Sequence, residues 1–336
     1  MKILYISNLN PHFENTNIYR LKALKQLGHE PIFFNDRIFI IPGRIRQRVP
    51  ILQNWDLRRL NQQMLRVAAK IKPDICLAVG GHRILPRTLI TLKKSGIITK
   101  LWTTDPPHTG FNHIIHTAPL YDHVFCAGTE AMEILAHTGG KNTTWLPYAC
   151  DPEFHRPLDM VEADRVLYGR DIAFVGAFYP NRWEIFKELI GNYNIGIWGP
   201  GWQQVINDQN RNHIQAIPLS HFEWIKIYNS AKIVIIIHYQ DGKTPCYQAS
   251  PKVYEALACR SFVMVDSQKD VLKIFSSGQH LVSFNCIEDL NLKIDYFLNR
   301  DNERRAIAAE GYREVLDKHT YRHRMKMMIE KGFTGL

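Results

Sequence analysis

The feature that most limits how this chain can fold is an alternation of short apolar runs with segments of helical period, played through twice. "KILYIS" (2–7), "EPIFFN" (30–35), "PDICLAVGG" (73–81), "TKLWTTD" (99–105) and "DHVFCAG" (122–128) read as strands. Helical segments lie between and after them, near 17–29, 54–71, 86–95 and 129–140. In the first of these, Ile18, Leu21, Leu24 and Leu27 fall at helical spacing. "LPYACDPEFHRPLD" (146–159) has three prolines and no helical period, and reads as a linker. Beyond it the alternation restarts with "DIAFVGA" (171–177), "NIGIWGPG" (194–201), "KIVIIIHY" (232–239), "FVMV" (262–265) and "LVSF" (281–284). Near-continuous apolar strands separated by helices require a parallel sheet covered on both faces. The expected fold class is therefore α/β, with two tandem Rossmann-like doubly wound domains facing a cleft. The expected division is 1–155, then 156–318, then a closing helix over 319–336.

Size and composition agree with this division. A chain of 336 residues suits two domains of roughly 150 each. The longest apolar run, "IVIII" at 233–237, falls far short of the ~20 residues of a membrane span. "MKILYIS" has no apolar core with a small-residue cleavage site, so it reads as a first strand and not a signal peptide. Six cysteines are scattered without a C-x-x-C pair, which predicts no zinc cage or disulfide framework and a reducing, cytoplasmic home. The formal charge of +10 is uneven: residues 37–72 hold nine Lys/Arg against one acid, Asp56. Such a patch favours anionic partners, among which composition does not choose: phosphorylated substrates, anionic lipid surfaces or nucleic acid.

Ligands of open α/β sheets sit at the carboxyl ends of strands, so chemistry is sought in the loops that follow them. The loop after the first strand, "SNLNPHFENTN", contains no glycine, so the G-x-G-x-x-G fingerprint of nicotinamide binding is absent there. The second half holds a more coherent set. Gly176 ends a strand and the next loop delivers Arg182; Gly199 ends another beside Trp198 and Trp202. In "SPKVYEALACRSFVMVD" (250–266), Ser250 can cap a helix and Pro251 suits its first turn. Lys252 and Glu255 stand three residues apart on that helix. As a solvated pair they would contribute only ~0.3–0.5 kcal/mol. Helix N-termini, two basic side chains and one carboxylate together describe instead a site for a nucleotide's diphosphate and ribose, with the glycine and tryptophan loops flanking its base.

These residues carry a family resemblance. "SPKVYEALACRSFVMVD", "DIAFVGAFYPNRWE" and "IGIWGPGW" resemble the C-terminal domain of GT-B glycosyltransferases of the group-1 type, and above all the spore-maturation CgeB-like family. "VGG" (79–81), "LWTTDPP" (101–107), "YDHVFCAG" (121–128) and "LPYACDP" (146–152) resemble that family's N-terminal half. The resemblance implies a nucleotide-sugar donor held by the second domain, with Glu255 on the ribose and Lys252 and Arg182 on the diphosphate. It implies no cofactor and no metal, since basic groups and helix dipoles meet the departing phosphate. It departs from a related pattern of two glutamates eight positions apart: Tyr247 stands where the first acid would be, which leaves contacts to the transferred sugar open.

The catalytic side is then expected in the first domain. Asp105 follows a strand and precedes a Pro-Pro turn, and His12 lies in the loop where some inverting relatives keep a general base; His82 and His108 are further candidates. By the same resemblance, residues 37–60 serve the acceptor, be it carbohydrate, lipid-linked or otherwise anionic. Their arginines interleaved with Ile, Phe, Val, Leu and Trp also suit peripheral membrane contact. Closure of the two domains would bring the anomeric carbon to the acceptor hydroxyl. Two alternatives stay open: a non-catalytic relative that only binds nucleotide-sugar, and a nucleic-acid-modifying or nucleic-acid-binding α/β protein. No zinc finger or RNP motif supports the latter.

Overall fold

The computed structural model describes residues 1–9, 16–105, 107, 113–139, 142–240, 242 and 245–331. The chain divides into two compact units, one of Met1–Pro147 with Arg322–Leu336 and one of Tyr148–Tyr321.

In the first unit the strands are β1 (Lys2–Ser7), β2 (Glu30–Asn35), β3 (Ile75–Val79), β4 (Ile98–Thr103), β5 (His123–Cys126) and β6 (Thr143–Trp145). The helices are α1 (Thr16–Gln26), α2 (Gly43–Arg46), α3 (Pro50–Ile71), α4 (Pro86–Lys94), α5 (His113–Thr117) and α6 (Thr129–His137). The sheet runs β2-β1-β3-β4-β5-β6 with every pairing parallel. Every residue of β3 is buried, as a strand covered on both faces must be. Order reverses between β1 and β3, so the switch point lies beyond Ser7 and Val79.

The second unit has β7 (Ile172–Val175), β8 (Ile195–Trp198), β9 (Ile214–Gln215), β10 (Ile233–Ile236), β11 (Val263–Asp266) and β12 (Val282–Phe284). Its helices are α7 (Glu162–Tyr168), α8 (Pro180–Leu189), α9 (His221–Ser230), α10 (Pro251–Ala258), α11 (Lys269–Ile274), α12 (Ile287–Leu298) and α13 (Asp301–Lys318). The parallel order β12-β11-β10-β7-β8-β9 is the dinucleotide-fold order 3-2-1-4-5-6, with its switch point between β7 and β10. Prolines open α3, α4, α8 and α10, where a missing N–H costs no helical bond. The last helix, α14 (Tyr321–Glu330), lies almost wholly in the first unit.

Three expectations are corrected. The boundary falls after Pro147 instead of Asp-Pro-rich 155, because Ala149, Cys150 and His155 are fully buried on the second unit. Likewise residues 319–321 stay with that unit. Cys150 N–H donates to His319 O at 3.0 Å and Tyr321 N–H to Cys150 O at 2.9 Å, which ties the two connecting strands together. Finally, α1 does not bury the stripe read from its leucines. Ile18 is exposed, and the inward face includes Asn17, Arg20 and Leu24. Asn17 Oδ1 accepts from Tyr5 Oη (2.7 Å) and Arg20 Nη1 (2.9 Å), so polar groups are buried there with partners.

Candidate functional site

The carboxyl ends of β7 and β10, where the second sheet reverses its order, are closed by two basic side chains. Lys252 Nζ donates to Val175 O at 2.5 Å. Arg182 donates through Nε and Nη2 to Ile237 O (3.0 and 2.7 Å) and through Nη1 to Ala177 O (2.8 Å). Lys252 reaches this place because α10 starts there. Ser250 Oγ accepts the Lys252 N–H at 3.4 Å, and Val253, Tyr254, Ala256 and Leu257 bury the helix's other faces completely. Glu255, one turn further in, is 6% exposed.

Burial sets the electrostatics. It pulls the Lys252 ammonium below the ordinary lysine range; the nearby Arg182 charge adds to this, and Glu255 opposes it. It pushes the Glu255 carboxyl above the usual carboxylate range, and Lys252 opposes that shift. Arg182 is drawn down to about 10, again chiefly by burial, with Tyr179 and Asp266 working the other way. Two cations and an acid gathered at a switch point form a site poised for an anion.

The backbone around them is shaped for close approach. Gly199 has φ +142°, and a Cβ there would lie 2.2 Å from Gly176 O, so only glycine lets the two loops touch. A Cβ on Gly176 would meet the Phe174 ring at 2.7 Å. Gly176 O accepts from Trp202 Nε1 at 2.8 Å. Trp202 itself is fully buried, edge-on to Phe178 and Phe186. It therefore cannot stack on a nucleotide base as its loop position predicts; its work is to hold Gly176. Arg182 is likewise a brace in part, since three of its five N–H donors go to backbone carbonyls.

Three residues the sequence did not single out join this site. His238 ends the run that contains β10; its Nδ1 lies 2.6 Å from Asp266 Oδ1, and its Nε2 accepts the Ser250 N–H at 2.9 Å. Asp266 Oδ2 also accepts the His238 N–H at 3.0 Å. His155, fully buried, accepts the Asp151 N–H on Nδ1 at 3.0 Å, and its Nε2 lies 3.9 Å from Glu255 Oε1. A histidine and an aspartate closing two adjacent apolar strands were the available signal for the His238–Asp266 pair. Tyr247 is half-buried beneath the Lys269 ammonium, 4.2 Å from the ring centre, and its carbonyl takes the Asp270 N–H at 3.1 Å.

In the first unit the structure brings together two of the predicted residues. His82 Nε2 lies 3.2 Å from Asp105 Oδ2, one following β3 and the other β4. The Asp105 side chain is 44% exposed and that of His82 16%. Gly80 and Gly81 take positive φ (84° and 70°) to turn the chain into His82, and a Cβ on Gly81 would strike Leu101 at 2.5 Å. His12 and His108 lie outside the described residues.

Two parallel-sheet α/β units with these switch points make the GT-B fold. Residues 167–330 match the family described as glycosyl transferase-like. The fold is that of the GT-B class, and the part of the chain that matches the glycosyl transferase-like family is most of the second unit with the last helix. The chain is similar to the spore protein CgeB of Bacillus subtilis (strain 168), at 22% identity over 273 residues that cover 77% of this chain and 83% of that protein. Among solved structures, Anabaena HepE in complex with UDP-glucose superposes with a TM-score of 0.67 at 12% identity, covering 98% of each chain. The sucrose-phosphate synthase of Thermosynechococcus elongatus gives a TM-score of 0.72 at 11% identity, covering 98% of this chain and 97% of that one.

Proposed function

We propose that this chain is a glycosyltransferase that moves a sugar from a nucleotide-sugar donor to an anionic or lipid-linked acceptor, without a resident metal ion. One observation carries the reading: Lys252 Nζ stands at the switch point of the second sheet, with buried Glu255 one turn behind it on α10. Lys252 and the N–H groups at the start of α10 meet the diphosphate, and Glu255 accepts from the ribose hydroxyls. Arg182 acts from behind, fixing the loop carbonyls and adding positive potential. The similarity to HepE, solved with UDP-glucose, makes UDP-sugars the first donors to test.

In the reaction, an acceptor oxygen bonds to the anomeric carbon while that carbon's bond to the diphosphate oxygen breaks. The nucleoside diphosphate departs with the electron pair, stabilised by Lys252. The acceptor proton passes to His82, whose imidazole the Asp105 carboxylate orients. Calorimetry with UDP, GDP, ADP, CDP and dTDP tests the donor side. Glu255→Ala should weaken the preferred nucleotide at least tenfold, as losing charge-assisted bonds worth ~1.5–3 kcal/mol requires. Unchanged affinity for every nucleotide would sink the assignment. Nucleotide binding with neither donor hydrolysis nor transfer would identify a non-catalytic relative.

A further inference from the structure

The basic segment of the first unit, expected to serve the acceptor, carries an exposed face that the donor site of the second unit does not include. α2 and the start of α3 expose Ile45 (51%), Ile51 (80%) and Trp55 (53%), and the loop before them exposes Ile40 (64%). On α3, Ile51, Trp55 and Arg58 follow at i, i+4 and i+7, one stripe opposite the buried Asp56, Leu60 and Met64. Soluble proteins seldom leave such apolar groups together in water without a partner.

The charge around the stripe is of one sign. Arg37, Arg44, Arg48 and Arg58 are exposed, and the segment's single acid, Asp56, is fully buried. Its carboxylate is already used, accepting the N–H groups of Ile40 (3.0 Å) and Ile41 (2.9 Å) and Arg59 Nε (3.0 Å). Beside the exposed Ile40 opens a cavity of about 360 Å³, lined by Arg37, Arg46, Arg83 and the apolar Phe39 and Ile41. Arg46 lies over the Phe39 ring, and its buried Nε and Nη1 have no hydrogen-bond partner among the described residues. Arg83 Nη1 meets Asp36 at 3.3 Å on the other side. Three arginines lining a cavity next to a solvent-facing apolar edge suit a phosphate that carries an acyl chain.

We propose that this face seats the protein on an anionic phospholipid bilayer. Ile45, Ile51 and Trp55 enter the boundary between headgroups and acyl chains, and the surrounding arginines lie against lipid phosphates, one of them in the Arg37–Arg46–Arg83 cavity. Apolar side chains interleaved with cations distinguish a bilayer from a nucleic acid, which would need the cations but not exposed isoleucines. The inference is independent of the sugar-transfer reading, because vesicle binding is read without turnover.

The test is flotation of the full chain with vesicles of phosphatidylcholine alone, or of equal parts phosphatidylcholine and phosphatidylglycerol. The protein should float with the mixed vesicles and not with the neutral ones. Raising salt until the Debye length falls from about 10 Å to about 3 Å should weaken binding. Ile51→Glu with Trp55→Glu should abolish flotation; both side chains face solvent, so an unchanged circular-dichroism spectrum and melting temperature verify that the variant is folded. Arg44→Gln with Arg48→Gln should weaken binding about 25-fold, at about fivefold for each arginine near the surface. Failure of the wild type to float with mixed vesicles overturns the proposal, as does flotation unchanged by the two glutamates. Tight duplex DNA binding without vesicle binding would assign the face to nucleic acid, and a dimer broken by Trp55→Glu without vesicle binding would assign it to a second copy of this chain.

Discussion

Asp266 Oδ1 lies 2.6 Å from His238 Nδ1, and this contact decides what the other side of the imidazole can do. With its proton held on Nδ1 toward the carboxylate, His238 keeps Nε2 free to accept the Ser250 N–H at 2.9 Å. The ends of β10 and β11 are thereby bolted to the residue that caps α10, the helix of Lys252 and Glu255. Replacing His238 with Ala removes the imidazole from Asp266 Oδ1 and from the Ser250 N–H, both part-buried, which should cost about 1–3 kcal/mol of stability. It should also raise the donor KM, since the helix start is no longer held at the sheet. Asp266→Asn, which can still accept from Nδ1, should do less of both. Urea denaturation with donor titration of the two variants checks this ordering; equal KM values in all three proteins would confine the pair to a packing role.

Donor binding should have a bell-shaped dependence on pH. The free site binds best with Glu255 ionised, to accept from the ribose, and Lys252 protonated, to meet the diphosphate. Burial raises the Glu255 pKa, so affinity should increase with pH through a limb above the ordinary carboxylate range. Burial lowers the Lys252 pKa, so affinity should decline again below the ordinary lysine range. The two limbs belong to the pair and not to either residue alone. Calorimetry of the nucleoside diphosphate across mildly acidic to mildly alkaline buffers reads both limbs. Glu255→Gln should remove the acid limb; its persistence would move the titrating group elsewhere.

Most of the architecture was legible because its strands are buried on both faces and so carry continuous apolar runs, "ICLAV" and "IVII" among them. β6 and β9 were not, being three and two residues long at sheet edges, where a strand needs few apolar groups. Lys252 and Glu255 were legible from a capped helix start between two strands. Trp202 was misassigned because a loop tryptophan can face outward or inward with the same sequence, and only packing against Phe174, Phe178 and Phe186 settles which. The His82–Asp105 contact joins residues 23 positions apart, a pairing that strand order decides and local pattern does not.

That contact carries its own prediction. If His82 takes the acceptor proton and Asp105 orients it, His82→Phe should lower kcat by about a hundredfold or more while leaving donor affinity unchanged. Asp105→Asn keeps a side chain of the same shape that can still hold the ring, and should lower kcat by a smaller factor. Steady-state rates with a nucleotide-sugar, beside calorimetry of the nucleotide alone, separate the two effects. A variant that loses nucleotide affinity and rate together would show that the pair shapes the fold and does not act on the acceptor.

Lys100 offers a test of how the last helix is held. It is fully buried in β4, and its Nζ donates to the carbonyls of Met328 (2.8 Å), Ile329 (3.0 Å) and Lys331 (2.8 Å) at the end of α14. Lys100→Met removes the donor from these oxygens, which should cost about 2–3 kcal/mol and expose the tail to proteolysis. Burial draws the Lys100 pKa from 10.5 to about 8, with Asp122 opposing. Between those values the unfolded chain keeps a proton that the folded chain has released, so the stability due to Lys100 rises with pH there. Below the lower value both states are protonated and its contribution is constant. The difference in unfolding free energy between wild type and Lys100→Met should therefore be flat up to about pH 8 and grow above it. A difference that shrinks as pH rises would mean that the carbonyl bonds hold the ammonium more strongly than burial opposes it.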